Sequence, residues 1–184
     1  MPSLRATNLH INDIDYKLQK ILGGTMMDSE TRFDNYVTEL QIVEFIAGGN
    51  SYGVDISDIK EFLPLNVKPT PVPNAHPCIE GMLMPRDFII PIINLKKSLE
   101  LSDTHSDEDE MLMVTSINDL NIGFHVDKIQ GIHRIYNDEV KQPGKKISTK
   151  VKGVVTGVFT RNDYTVEILD LRKIITDINP KVLS

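Results

Sequence analysis

The stretch Tyr52-Gly53-Val54-Asp55-Ile56-Ser57-Asp58-Ile59 decides the reading of the whole chain, because it occurs twice. Tyr52, Val54 and Ile56 alternate with other residues at period two, the pattern of a strand buried on one face. At an offset of 70, Ile122-Gly123-Phe124-His125-Val126-Asp127-Lys128-Ile129 has the same pattern. Two further blocks repeat: Ile79-Glu80-Gly81-Met82 matches Val151-Lys152-Gly153-Val154 at an offset of 72. Ile92-Ile93-Asn94-Leu95-Lys96-Lys97 matches Ile168-Leu169-Asp170-Leu171-Arg172-Lys173 at an offset of 76. The order is kept, and the offset grows slowly, as changes in loop length would make it. A period this long excludes a solenoid. It fits two similar β-subdomains of about five short strands each, a size suited to small barrels that leave few edges exposed.

Working outward, Leu40, Ile42, Phe45 and Ile46 form a strand that ends at the turn-forming Gly48-Gly49-Asn50. Pro64, Pro69, Pro71, Pro73 and Pro77 exclude a helix from the next segment. The apolar runs Ile79 to Leu83 and Phe88 to Leu95 are separated by Met84-Pro85-Arg86-Asp87, a tight connection between antiparallel strands. Lys96 to Leu99 makes a short helical turn, and Ser102 to Glu110 is an acidic, apolar-free loop or divider. Ahead of all this, Ile11, Ile14, Leu18 and Leu22 recur at helical spacing and stop at Gly23-Gly24. That helix is either a terminal arm, free or docked on its own domain, or a docking element for a partner. The expected organisation is an N-terminal helix and linker over 1–37, then one domain over 38–184. The domain divides into two interleaved β-subdomains, about 38–105 and 106–170, and ends in a short C-terminal helix.

The whole chain has 184 residues, 40% of them hydrophobic and 25% charged, which is ordinary globular usage. A net charge of −6 argues against nucleic acid or an anionic membrane as the main partner. One cysteine excludes an internal disulfide framework and a Cys-paired zinc site. No apolar run approaches the ~18 residues that a membrane span requires, and no leader is present, so the chain is expected in the cytoplasm.

The sequence offers no constellation for catalysis. Cys78 lies two residues from His76 among prolines and reads as a buried or rim thiol rather than a nucleophile. The histidines show no metal-ligand spacing, and His125 and His133 are expected to face solvent or a subdomain seam. Asp107-Glu108-Asp109-Glu110 lacks the alternating ligands and central glycine of a calcium loop. Gly48-Gly49 has no following Lys-Ser/Thr, so it is not a phosphate loop. No cofactor or metal is expected. What remains suits protein binding: Ile59, Phe62 and Leu63 beside Lys60 and Glu61, with Arg86 in a turn that strand pairing brings near. On the alternative reading, Ile59 and Phe62 are core residues, and Glu61 and Arg86 are ordinary surface charges.

From Glu39 to Asn179 the chain resembles the CheW family of bacterial chemotaxis coupling proteins. The matching elements are Tyr52-Gly53-Val54-Asp55-Ile56 with Ile59-Lys60-Glu61, Val72-Pro73-Asn74 before Ile79-Glu80-Gly81, and Pro91-Ile92-Ile93-Asn94-Leu95. Ile122-Gly123-Phe124 with Val126-Asp127, and Ile168-Leu169-Asp170-Leu171, complete the set. Val72-Pro73-Asn74 and Glu39-Leu40-Gln41-Ile42-Val43-Glu44-Phe45 look especially like CheV, in which a CheW domain precedes a receiver domain. No receiver follows Ser184, so the chain is either a stand-alone CheW-like protein or the coupling domain of something longer.

The resemblance implies a mainly β fold of two five-stranded SH3-like barrel subdomains and a non-enzymatic adaptor. Its partners would be the regulatory domain of the histidine kinase CheA and the cytoplasmic tip of a methyl-accepting chemoreceptor, at membrane-associated receptor arrays. Self-association through residues 11–22 is a further option. Ile56, Ile59, Glu61, Arg86 and Asp87 match the family's partner surface. The family's Asn-Leu-Arg-Gly turn here reads Met84-Pro85-Arg86-Asp87, which replaces the glycine by a residue that tolerates positive φ. Two other functions compete: a small-molecule or protein-binding sensor using the groove between subdomains, and a hydrolase or transferase centred on Cys78.

Overall fold

Alternating apolar residues produce ten strands among the described residues, and two short helices each follow directly from a strand. The computed structural model describes residues 37–102, 110–117, 119–144, 151 and 153–180. The helix expected over 11–22, its linker and most of the acidic stretch lie outside the described residues. In chain order the elements are β1 (Glu39–Ala47), β2 (Asn50–Asp55), β3 (Glu61–Pro64), β4 (Ile79–Leu83), β5 (Ile90–Asn94) and α1 (Leu95–Ser98). Then come β6 (Met111–Ile117), β7 (Leu120–Val126), β8 (Lys128–Tyr136), β9 (Val155–Arg161), β10 (Tyr164–Leu169) and α2 (Leu171–Ile178).

Two five-stranded sheets result, in the orders β8-β1-β2-β10-β9 and β3-β6-β7-β5-β4. Replacing each strand of the first order by its counterpart in the other half of the chain generates the second order. Each half therefore lends its leading hairpin to one sheet and its other three strands to the other. The hairpins turn tightly because their corners accept positive φ: Gly48 and Gly49 (58° and 78°) between β1 and β2, Asn162 and Asp163 (43° and 71°) between β9 and β10. Each sheet is drawn together at its ends by an isolated bridge, Thr70 to Met82 in one and Lys141 to Val158 in the other. The two helices are capped alike, with the Asn94 side chain accepting from the Lys97 N–H and the Asp170 side chain from the Lys173 N–H.

The register corrects one block of the repeat. Gly81 pairs with Ile92 and Gly157 with Ile168, so β4 corresponds to β9 at an offset of 76. Val151, Gly153 and Val154 lie outside any strand. Val151-Lys152-Gly153-Val154 and Val155-Thr156-Gly157-Val158 are tandem copies of one pattern, and only strand pairing selects between them.

Alternation along each strand sorts side chains into three cores. Val43, Phe45, Tyr52 and Val54 join Met113, Phe124, Leu95, Leu171 and Ile174 in a central core shared by both sheets and both helices. The opposite faces build two smaller interiors, Ile42, Ile135, Phe159, Val166 and Ile168 in the first sheet, Ile90, Ile92, Leu112 and Val114 in the second. The repeated glycines stand where these interiors leave no room for a side chain. A Cβ on Gly53 would lie 2.6 Å from Ile42 Cγ2, and one on Gly123 2.8 Å from Ile92 Cδ1.

His125 and His133, expected at the surface or a seam, turn inward instead. His133 Nε2 is bound to the buried Glu44 carboxylate, which also accepts from Ser51 Oγ at 2.9 Å and Tyr164 Oη at 3.1 Å. His125 Nδ1 lies 3.0 Å from Glu80, and its Nε2 3.4 Å from Glu110. The alternation shows which positions face inward but not that a carboxylate waits there for an imidazole. Burial pulls the His125 pKa down, but the Glu80 hydrogen bond and charge, with Glu110, outweigh it and leave the pKa above its usual 6.5. Burial pushes Glu80 up, and His125, Asn94 and Lys97 together hold it below 4.5.

Two outcomes follow. Gly53→Ala destabilises by about 1–3 kcal/mol, since the Ile42 branch methyl cannot swing aside, whereas Gly123→Ala costs less because Ile92 Cδ1 is a chain end. Urea unfolding of both variants measures the difference. His125 adds stability that is complete below 6.5 and is lost as pH rises through its raised folded value. Glu80 adds stability present above 4.5 and lost as pH falls through its lowered one. The stability gap between the wild type and His125→Gln is therefore widest between about pH 4.5 and 6.5 and narrows by pH 9, as denaturation midpoints across that range will show.

Candidate functional site

The second sheet begins and ends, in strand order, with β3 and β4, and the site lies where side chains join these two ends. Glu61 opens β3, and Arg86 sits in the turn between β4 and β5. The Arg86 guanidinium meets the Glu61 carboxylate at 3.2 Å, with Glu61 largely covered (19% exposed) and Arg86 largely open (65%). One residue earlier, Lys60 places Nζ 5.4 Å from the centre of the Phe88 ring and 3.0 Å from Asn121 Oδ1. Met84 and Ile89, which bracket the turn, are 66% and 61% exposed. The result is an ion pair with an open cationic face between two bare apolar side chains, a composition suited to protein contact.

Of the residues singled out in the sequence, Glu61 and Arg86 are in direct contact. Asp87 is exposed beside Arg86. Ile56 starts a single 3-10 turn capped by Asp55, and Ile59 ends it; both are half-buried against the central core, as is Phe62. The pattern placed Lys60 beside Glu61 and Met84 in the turn of Arg86 but did not reveal Phe88, Asn121 or Ile89 as parts of this region, because Phe88 and Ile89 read as the start of a strand that begins only at Ile90. Cys78 is half-buried, and its carbonyl accepts from the Asn94 N–H at 2.8 Å. Among the described residues no three His, Cys, Asp or Glu side chains gather as metal ligands would, and no helix is long and apolar enough to cross a membrane.

The CheW-like domain matches residues 41–179, which takes in both sheets and α2 almost completely. The chain belongs to the CheW-like family. It is 30% identical over 141 residues to the chemotaxis protein CheW of Treponema pallidum (strain Nichols), covering 74% of this chain and 82% of that one. It is also 30% identical over 165 residues to the chemotaxis protein CheV3 of Helicobacter pylori (strain ATCC 700392 / 26695), covering 83% of this chain but 52% of CheV3. Among solved structures, the scaffolding protein TtCheW of Thermoanaerobacter tengcongensis superposes with a TM-score of 0.69 at 26% identity, over 79% of this chain and 97% of that one. This CheW-like chain thus stands among chemotaxis coupling proteins, and its mainly β fold of two five-stranded sheets is the family's.

An ion pair open to solvent on its arginine side contributes little to folding, because solvent screens it and two long side chains lose freedom in forming it. Arg86→Ala and Glu61→Ala are expected to change unfolding free energy by less than about 1 kcal/mol each, measured by urea denaturation.

Proposed function

We propose that this CheW-like chain is an adaptor that couples a chemoreceptor to a histidine kinase by binding the regulatory domain of CheA and the cytoplasmic tip of a methyl-accepting receptor. Glu61, Arg86 and Asp87 form the charged part of a partner surface, and Ile56 and Ile59 support it from the core side. The reading draws on family membership and on one observation from the pseudo-symmetry of the fold. Glu61 pairs with Val114 in the second sheet, and Gly131 pairs with Glu44 at the corresponding place in the first. The six-residue connection holding Arg86 corresponds to Thr160–Thr165, where Asn162 takes the arginine's place. One sheet thus folds with glycine and asparagine where the other has an ion pair. The other sheet forms without such a pair, which supports a role for it in recognition.

An adaptor of this kind transmits signal by thermodynamic coupling: receptor state biases its contacts, and those contacts bias the kinase. Calorimetric titration of the full chain with CheA and with a receptor signalling fragment from the same cell tests the reading. Binding to both is expected, and Arg86→Ala and Glu61→Ala each weaken at least one complex by about 1–3 kcal/mol, the cost of a moderate hot spot. Wild-type affinity in both variants would remove the site, and binding to neither partner would remove the function.

A further inference from the structure

The Glu61–Arg86 pair does not hold itself. Arg86 rises from a turn without glycine, is mostly solvated, and gives up considerable rotamer freedom to stay on Glu61. The cation nearest Glu61 in the chain is Lys60, which would compete with Arg86 for the carboxylate if its ammonium were loose. It is not loose: the backbone N–H of Lys60 donates to the Val114 carbonyl at 2.7 Å, and its Nζ donates to Asn121 on β7 and lies over Phe88. Phe88 in turn packs onto the interior of Ile90, Ile92, Leu112 and Val114, which anchors the turn two residues beyond Arg86.

Resting on the function proposed above, the geometry points to Lys60 as a positioning residue: clamped on Asn121 and Phe88, it fixes the Met84–Ile89 turn against β3 and leaves Glu61 to Arg86 alone. The other sheet supplies an internal control. Gln130 stands at the position of Lys60, Gly131 at that of Glu61, Asn162 at that of Arg86 and Tyr164 at that of Phe88. There the aromatic hydroxyl goes to Glu44 instead. The clamp and the ion pair are present together in one sheet and absent together from the other, as expected if the first serves the second.

The test uses the full chain labelled with 15N and follows the Arg86 Nε–H resonance, which requires no partner. In the wild type its heteronuclear NOE is that of an ordered side chain. Lys60→Met, which keeps the stem and removes the charge, lowers it toward the values of free arginines, and Lys60→Arg, which still stacks on the ring, restores it. Affinity for whichever partner the wild type binds falls about two- to fivefold in Lys60→Met, the scale of an exposed cation–π contact, and not at all further when Arg86→Ala is already present. An unchanged Arg86 NOE in Lys60→Met, no rescue by arginine, or amide shifts spread through both sheets would overturn the assignment. If the wild type binds neither CheA nor receptor, the function fails while the NOE still decides the role of Lys60.

Discussion

The Lys96–Asp127 ion pair fixes the point on which the exchange of strands between halves depends. Asp127 is the single residue between β7 and β8, where the chain leaves the second sheet for the first. One of its carboxylate oxygens meets Lys96 Nζ on α1 at 2.8 Å, the other accepts from the Gly48 N–H at 2.8 Å, and its own N–H donates to the Ile46 carbonyl. One side chain thus ties the helix after β5, the β1–β2 turn and the crossover together. Both charges are almost fully buried, so desolvation cancels much of their attraction. What the pair supplies is direction: with Asp127 held against Gly48 and Ile46, the chain leaves β7 alongside β1, and β8 pairs with it.

Much of this architecture was legible in the sequence, and the reasons are local. Strand alternation, the Gly48-Gly49 turn and the Asn94 and Asp170 positions are set by neighbours along the chain. The repeat follows from the need of two similar sheets for glycine at the same crowded places, Gly53 and Gly123. The subdomains were expected to interleave, but which hairpin joins which sheet was not legible, because identical patterns serve either arrangement. The same ambiguity misplaced the Val151 block, where two tandem copies of one phrase competed. His125 and His133 were misread because their carboxylate partners, Glu80 and Glu44, lie 45 and 89 residues away.

For the candidate site, residue types suggested Glu61 and Arg86, and the contact between them arises from the sheet bringing β3 to the β4–β5 turn. The supporting group around them could not be read, since Lys60 looks like any exposed lysine until Asn121 and Phe88 are seen to hold it. Comparing the two halves goes further than either alone. Positions filled alike, such as the helix caps, answer to the fold. Positions filled differently, such as Glu61 against Gly131, are free of that demand and open to selection for something else.

The exchanged hairpins also set an order of assembly on the ribosome. The second sheet is built from one continuous segment, 61–126, and all of its strands exist before β8 is made. The first sheet straddles it: β1 and β2 are synthesised early and must wait for β8, β9 and β10. During that interval the β1–β2 hairpin presents Ile42 without Ile135, Phe159, Val166 and Ile168 of the strands that will cover it, and an isolated hairpin is marginal at best. Pairings this distant along the chain are slow to form, so the vulnerable species in the life of this protein is a nascent chain with one finished sheet and one waiting hairpin.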